Sequence, residues 1–110
     1  MIKIDLKPMS VNEAYTGRRF KTPEYKKFTR DALFLLPKST LPPPPYKIIF
    51  EWGLSNDAGD WDNPTKAFQD ILSKKYGFND RLIVAGSARK VIVDKGKEYI
   101  KFDIITDDGK

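Results

Sequence analysis

The amino-acid sequence predicts an α+β fold: a single small domain, spanning residues 1–110, in which a mixed β-sheet packs against two helices and ends with a C-terminal β-hairpin. The chain has 110 residues, 40% of them hydrophobic and 32% charged, which suits one domain with one core better than two. Segments with the two-residue period of strands alternate with two segments of helical period. Because sheets and helices both have to bury an apolar side, this order indicates a sheet covered by helices.

A long loop separates the first predicted strand from the first predicted helix. Residues 2–6 alternate apolar and charged side chains, as a half-buried strand does. Residues 8–21 keep no period, which predicts a loop. Thr22 followed by Pro23 is typical of a helix start. An apolar stripe continues this helix up to Pro37 and consists of Tyr25, Phe28, Ala32 and Leu35.

The central part of the sequence predicts a stiff connector, a strand and a second helix. The prolines of Pro42–Pro45 lack backbone donors and fix φ, which predicts an extended spacer. Residues 46–54 place large apolar side chains at alternate positions, which predicts a strand. Asn63 and Pro64 repeat the helix-start signature, and Gly77 ends the helix. The apolar stripe of this helix consists of Ala67, Phe68, Ile71 and Leu72.

Two more strands are predicted near the C-terminus. Residues 89–93 and 100–104 both have the alternating pattern of strands. Between them lies Asp-Lys-Gly-Lys at 94–97, whose glycine suits a tight turn. We therefore expect the two strands to pair with each other as a hairpin.

The composition excludes several kinds of site. The chain contains no Cys and no His, which rules out thiol nucleophiles, Ser-His-Asp triads, thiolate zinc sites and disulfides, so any metal ion must be held by oxygen. With 20 Lys and Arg against 15 Asp and Glu, the net charge of +5 favours a polyanionic partner. No apolar run approaches the roughly 20 residues that cross a bilayer, and the N-terminus lacks an apolar signal core. We therefore expect a cytoplasmic protein without a membrane partner.

A pair of carboxylates lies between the central strand and the second helix. Asp60 and Asp62 are two residues apart, and alternate side chains of an extended backbone point the same way. Converging carboxylates suit Mg²⁺, which needs few protein oxygens. Asp80, just beyond the second helix, is the candidate for a third ligand if helix and strand bring the two loops together. The alternative is that these residues only cap a helix and interact with its dipole.

Lys66 lies in the first turn of the second predicted helix, next to the acidic pair. In this position its ammonium group could hold a scissile phosphate or neutralise a developing oxyanion. Lys66 and Asp70 are also four residues apart, the spacing of an exposed ion pair that contributes about 0.2–0.5 kcal/mol. The residues alone leave both roles open.

Positive charge is concentrated in the loop and the first helix. Cations surrounding an acidic centre are expected of a nuclease, because they hold the phosphate backbone while carboxylates hold the metal ion. We interpret Tyr25 and Phe28 in this stretch as helix core rather than as base-stacking residues. The predicted phosphate-binding cations are Arg18, Arg19, Lys21, Lys26, Lys27 and Arg30.

The pattern around the second helix resembles a known family. D-x-D-N-x-x-K-x-x-x-D-x-L at residues 60–72, followed by N-D at 79–80, is similar to the central motif of the RusA-type Holliday junction resolvases, which are crossover junction endodeoxyribonucleases. P-M-S-V-N at residues 8–12 resembles the Pro-Pro-Ser-x-Asn entry of that family into its basic loop. The resemblance covers nearly the whole chain, and the chain length agrees with it.

The resemblance implies an Mg²⁺-dependent endonuclease of the bacterial cytoplasm, from a chromosomal, phage or prophage gene, with Mn²⁺ able to substitute. It implies a symmetric homodimer that acts on four-way DNA junctions in recombination and repair. It further implies that Asp60, Asp62 and Asp80 hold the metal ion, that Lys66 supports catalysis and that Asn12 contacts DNA.

In two places the sequence departs from the family: Asn79 stands where many members have Asp, and Met9 replaces a proline. We therefore expect a lower metal affinity.

Two other functions stay open on the residues alone. One is a non-catalytic basic DNA-binding protein whose acidic loop only caps a helix. The other is a protein-interaction module that uses Pro42–Pro45.

Overall fold

The computed structural model describes residues 1–9, 15–16, 20–56 and 64–109. Within these ranges the helices are α1 (Pro23–Leu35) and α2 (Thr65–Tyr76), and a 3₁₀ turn covers Asp80–Leu82. The strands are β1 (Ile2–Ile4), β2 (Tyr15–Thr16), β3 (Phe20–Lys21), β4 (Tyr46–Leu54), β5 (Ile83–Ile92) and β6 (Tyr99–Thr106).

The main sheet has four strands in the order β1-β6-β4-β5. β4 pairs antiparallel with β6 and parallel with β5, and β1 pairs antiparallel with β6. Because a parallel pair needs a crossover, α2 connects β4 to β5 as the helix of a β4-α2-β5 unit. β2 and β3 form a separate two-stranded ladder. The predicted α+β class, with a mixed sheet and two helices in one small domain, is confirmed.

The predicted C-terminal hairpin is wrong in its pairing. Both strands and the turn between them exist, although β5 begins at Ile83 rather than at residue 89 as predicted. In the turn, Lys97 N donates to Asp94 O at 2.9 Å. However, β5 and β6 lie on opposite sides of β4 and do not pair with each other. The physical reason is that the buried backbone of β4 needs hydrogen-bond partners along both edges, and the turn sequence contains no information about this long-range demand.

The core lies between one face of the sheet and the two helices. Alternate residues of β4 and β6 are buried there, as the sequence pattern predicts. Phe68 of α2 joins the layers, because its ring centroid lies 6.4 Å from Phe28 of α1 and 6.0 Å from Trp52 of β4. Phe102 of β6 lies 5.7 Å from the same ring. The aromatic side chains therefore fix both helices against the central strands.

Local signals define most helix ends. Thr22 caps α1, and its Oγ1 accepts a hydrogen bond from Tyr25 N at 3.1 Å. α2 ends at Gly77, whose φ of +70° suits glycine. α2 begins at Thr65 with Pro64 as its cap residue, just after the predicted start at Asn63 or Pro64. Asn63 lies outside the described residues.

The proline segment is held by the end of the sheet. The chain bends over residues 43–45, so the segment is not extended throughout as predicted. Thr106 Oγ1 donates to Pro43 O at 2.6 Å, and Asp107 N donates to Pro45 O at 2.8 Å. These bonds favour a structural connector over a free proline-rich ligand.

Tyr99 covers a glycine on the face of the sheet away from the helices. Its ring packs on Gly53 so closely that a Cβ atom there would overlap the ring. Tyr99 Oη donates to Glu51 Oε2 at 2.7 Å. Burial, and then this hydrogen bond, raise the pKa of Tyr99 to about 12, which keeps the phenol protonated as a donor.

We predict that Gly53→Ala destabilises the protein by about 1–3 kcal/mol, because the new methyl group must displace the Tyr99 ring. Urea unfolding of Gly53→Ala, Tyr99→Ala and the double variant measures this effect. In the Tyr99→Ala background the added methyl group should cost far less. Additive losses in the double variant would contradict the proposed contact.

Candidate active site

The described residues include only part of the predicted site. Lys66, Asp80, Lys26, Lys27 and Arg30 are described with their surroundings, and Lys21 by its backbone in β3. The predicted site residues outside the described ranges are Asn12, Arg18, Arg19, Asp60 and Asp62.

Lys66 and Asp70 form the ion pair that their spacing predicts. Lys66 Nζ donates to Asp70 Oδ1 at 3.2 Å, and the two side chains are 60% and 34% exposed. Solvent screens such a pair, so it contributes at most about 1 kcal/mol. The pair leaves the ammonium group of Lys66 accessible at the start of α2, and its catalytic role stays a prediction.

The first turns of α1 and α2 lie against each other. Tyr25 Oη donates to Ala67 O at 3.3 Å, and both residues are buried. Lys26 and Lys27 directly follow Tyr25, and Lys66 directly precedes Ala67. The contact therefore brings the start of the basic helix next to the turn that carries Lys66. Sequence reasoning assigned Tyr25 only to the core, because a hydrogen bond across 42 positions leaves no local pattern.

The outer face of α1 carries the described cations of the predicted DNA-binding set. Lys26, Lys27 and Arg30 are exposed, whereas Tyr25 and Phe28 are buried on the opposite side. The interpretation of these two aromatic residues as core is confirmed. Arg30 Nε lies 3.9 Å from Asp31 Oδ1, which offsets part of its charge. Lys26 and Lys27 are therefore the stronger candidates for phosphate contacts.

Asp80 begins the 3₁₀ turn between α2 and β5, and it is exposed to solvent. Asn79 caps this turn, since its Oδ1 accepts a hydrogen bond from Arg81 N at 3.0 Å. A carboxylate at position 79 would accept the same bond. The role of Asn79 is thus explained by the turn, and the exposed carboxylate next to it is the group available to a cation.

The strand directions place Asp80 far from the start of α2. The ring of Phe78 lies 5.5 Å from that of Tyr46, and β5 begins opposite Tyr46, so Asp80 lies at the amino end of β4. Leu54 and Pro64, which flank the acidic segment, lie at the carboxyl end of β4 and the start of α2. Eight steps of about 3.3 Å separate the two ends of β4, roughly 26 Å. Within one chain, the crossover does not bring these flanks to Asp80.

Among the residues that the structure describes, two buried polar groups near the start of α2 find no hydrogen-bond partner: Trp52 Nε1 in β4 and Thr65 Oγ1 in the first turn. Buried polar groups without partners are uncommon. The sequence places Trp52 in a core strand but contains no signal for the hydrogen bonding of its indole donor.

Among the residues that the structure describes, no three acidic side chains are grouped so that they could hold a metal ion. Asp60 and Asp62 lie outside the described ranges. The metal site formed by these two residues and Asp80 therefore stays a prediction. None of the described helices is long and apolar enough to cross a membrane.

Comparison with known proteins returns no match, neither to a protein-family model nor to a curated protein. Function has to be inferred from the residues and their geometry.

Proposed function

We propose that this protein is an Mg²⁺-dependent endonuclease that resolves four-way DNA junctions by paired phosphodiester hydrolysis in recombination and repair. The main support is the contact between Tyr25 and Ala67, which places Lys26 and Lys27 beside the turn of Lys66. Phosphate-binding cations, a lysine suited to a charged transition state and the adjacent acidic segment then share one end of the domain.

The available ligands fit a hard divalent cation. The chain offers no imidazole or thiolate, and Asp80 presents an exposed carboxylate on a hydrogen-bonded turn. Asp60, Asp62 and Asp80 would hold the ion, with Mn²⁺ as a substitute for Mg²⁺. Such an ion polarises a phosphate and acidifies a water molecule. Lys66 would orient the scissile phosphate and stabilise the negative charge that develops on it.

Two arguments support a homodimer. Cutting opposing strands of a four-way junction needs two sites, which a two-fold dimer supplies. Asp80 also lies at the opposite end of the β4-α2-β5 unit from Pro64, and Asp62 precedes Pro64 by only two residues. Two residues span about 7 Å at most, and Mg²⁺ holds its ligands at about 2.1 Å. We therefore infer that each site takes Asp60 and Asp62 from one protomer and Asp80 from the other.

Incubation with a synthetic four-way junction tests the proposed activity. We expect paired cuts that leave 5′-phosphates in Mg²⁺ or Mn²⁺, no cuts in EDTA, and much slower cutting of a linear duplex with the same arms. Junction binding without cleavage in either metal ion would instead favour the non-catalytic DNA-binding protein.

We predict that Asp60→Asn, Asp62→Asn and Asp80→Asn each abolish cleavage while junction binding is retained. Each change weakens the metal site and also removes a negative charge that repels DNA. Cleavage assays and gel shifts in Ca²⁺ measure the two effects, with Asp70→Asn as the matched control. Parental cutting by any of the three variants would remove that residue from the site.

We predict that Lys66→Ala lowers the single-turnover cleavage rate by about 10² or more, because a charge that stabilises the transition state is lost. Asp70→Ala should cut at the parental rate. Both variants should lose less than about 1 kcal/mol in unfolding free energy, since they remove the same exposed pair. Equal rates for both variants would assign Lys66 a structural role only.

We predict that Lys26→Gln with Lys27→Gln weakens binding to any DNA and flattens its salt dependence. Each lost phosphate contact should lower the slope of log K against log salt by about 0.9. Lys38→Gln with Lys74→Gln is the control, because both residues are exposed away from the start of α1. Neutralising Arg18, Arg19 and Lys21 should act in the same way. An unchanged slope would show that these cations do not touch the backbone.

A further inference from the structure

β5 is a long edge strand with one side unpaired. It has ten residues and pairs with β4, and no other strand among the described residues lies beside it. Natural edge strands are usually protected by short length, proline, charges or bulges. β5 has a bulge at Val84 and two charged residues, Arg89 and Lys90, but residues 85–88 between them are Ala-Gly-Ser-Ala, with no proline, charge or bulge. Within the described part of the chain, no strand pairs with the outer backbone donors and acceptors of residues 85–88.

An apolar groove runs along this edge. A cavity of about 300 Å³ lies between β5 and α2, because the small side chains of β5 leave space beside Thr65 and Gln69. Ile48 and Phe50 form its floor. Val84 and Ile92 of β5 are 57% and 54% exposed. Open backbone and uncovered apolar surface thus coincide on one edge.

We propose that β5 pairs antiparallel with β5 of a second copy, around a two-fold axis near residues 86–87, to form one continuous eight-stranded sheet. The charges favour this occupant and direction. Arg89 and Lys90 lie in the second half of β5, so a parallel neighbour would place like charges side by side. Antiparallel pairing places Arg89 and Lys90 beside residues 83–85 of the other copy, which are uncharged. It also brings these two cations towards the end of the other β5 at which Asp80 lies.

A second copy would cover the exposed β5 edge more completely than an unrelated peptide would. A two-fold contact uses the same surface twice and protects both β5 edges at once. The two grooves then meet between the two α2 helices, where the small residues of β5 allow the helices to approach. The exposed Val84 comes to lie against the second half of the other β5 strand.

This pairing has a consequence for the active site, which rests on the proposed nuclease function. Antiparallel pairing places the amino end of one β5 level with the carboxyl end of the other. Asp80 of one protomer then approaches the sheet end at which β4 of the partner leads into the acidic segment. The pairing itself does not depend on the nuclease function.

Single-cysteine variants test the pairing directly, since the chain contains no cysteine of its own. Each variant is oxidised, and crosslinked dimer is measured on non-reducing gels. The variants are Val84→Cys, Ala85→Cys, Ser87→Cys, Ala88→Cys and Val91→Cys. A disulfide requires Cα atoms about 4.4–6.8 Å apart, so yields should peak near position 87 and fall towards 84 and 91. Ser39→Cys, on an exposed segment away from β5, should stay uncrosslinked. Equal yields at all positions, or none, would overturn the proposal.

Charge variants provide an independent measurement. Ser87→Glu and Ser87→Lys should each halve the mass measured by sedimentation, because like charges meet at the axis, and mixing the two should restore the dimer. Unchanged thermal melts confirm that the variants fold. A monomeric parent protein, or a dimer insensitive to Ser87→Glu, would overturn the pairing. Because these measurements use no DNA or metal ion, a dimer that cuts no junction supports the pairing and rejects only the nuclease function.

Discussion

The hydrogen bonding of β4 along both edges determines the rest of the structure. β4 joins the antiparallel half of the sheet, through β6, to the parallel crossover that ends in β5. Its buried side chains also provide the surface on which Phe68 and α2 pack. As a result, Lys66 lies at one end of the sheet and Asp80 at the other. The proposed site is therefore constrained by the topology as well as by the residues that form it.

Local signals in the sequence predict both helices and the central strand, but they miss β2, β3 and the first part of β5. Thr22 with Pro23 identifies the start of α1, Gly77 identifies the end of α2, and the alternation over residues 46–54 identifies β4. Each of these depends on a few neighbouring residues. The pairing of the C-terminal strands could not be predicted in this way, because β4 competes for both of them over long sequence separations. The turn at residues 94–97 is predicted correctly, but β6, which follows it, pairs with the edge of β4 opposite to the one that β5 occupies.

The same distinction applies to the site. The spacing of Lys66 and Asp70 predicts their ion pair, since four residues make one helical turn. The hydrogen bond from Tyr25 to Ala67 depends on how two helices pack and has no sequence signature. The sequence makes Asp80 a candidate ligand if helix and strand bring the two loops together, whereas the parallel crossover separates Asp80 from the residues that flank the acidic segment. Asp60 and Asp62 lie outside the described residues, so their role still depends on the motif alone.

Mixing two inactive variants tests most directly whether each metal site combines carboxylates from two subunits. Asp62→Asn and Asp80→Asn are unfolded together, refolded as a mixture and assayed on a four-way junction in Mg²⁺. A two-fold dimer with shared sites has one intact site in each heterodimer, so activity should return to about a quarter of the parental site number, as single nicks. A mixture that forms heterodimers but stays inactive would contradict the account, because it would show that each site draws all its carboxylates from one chain.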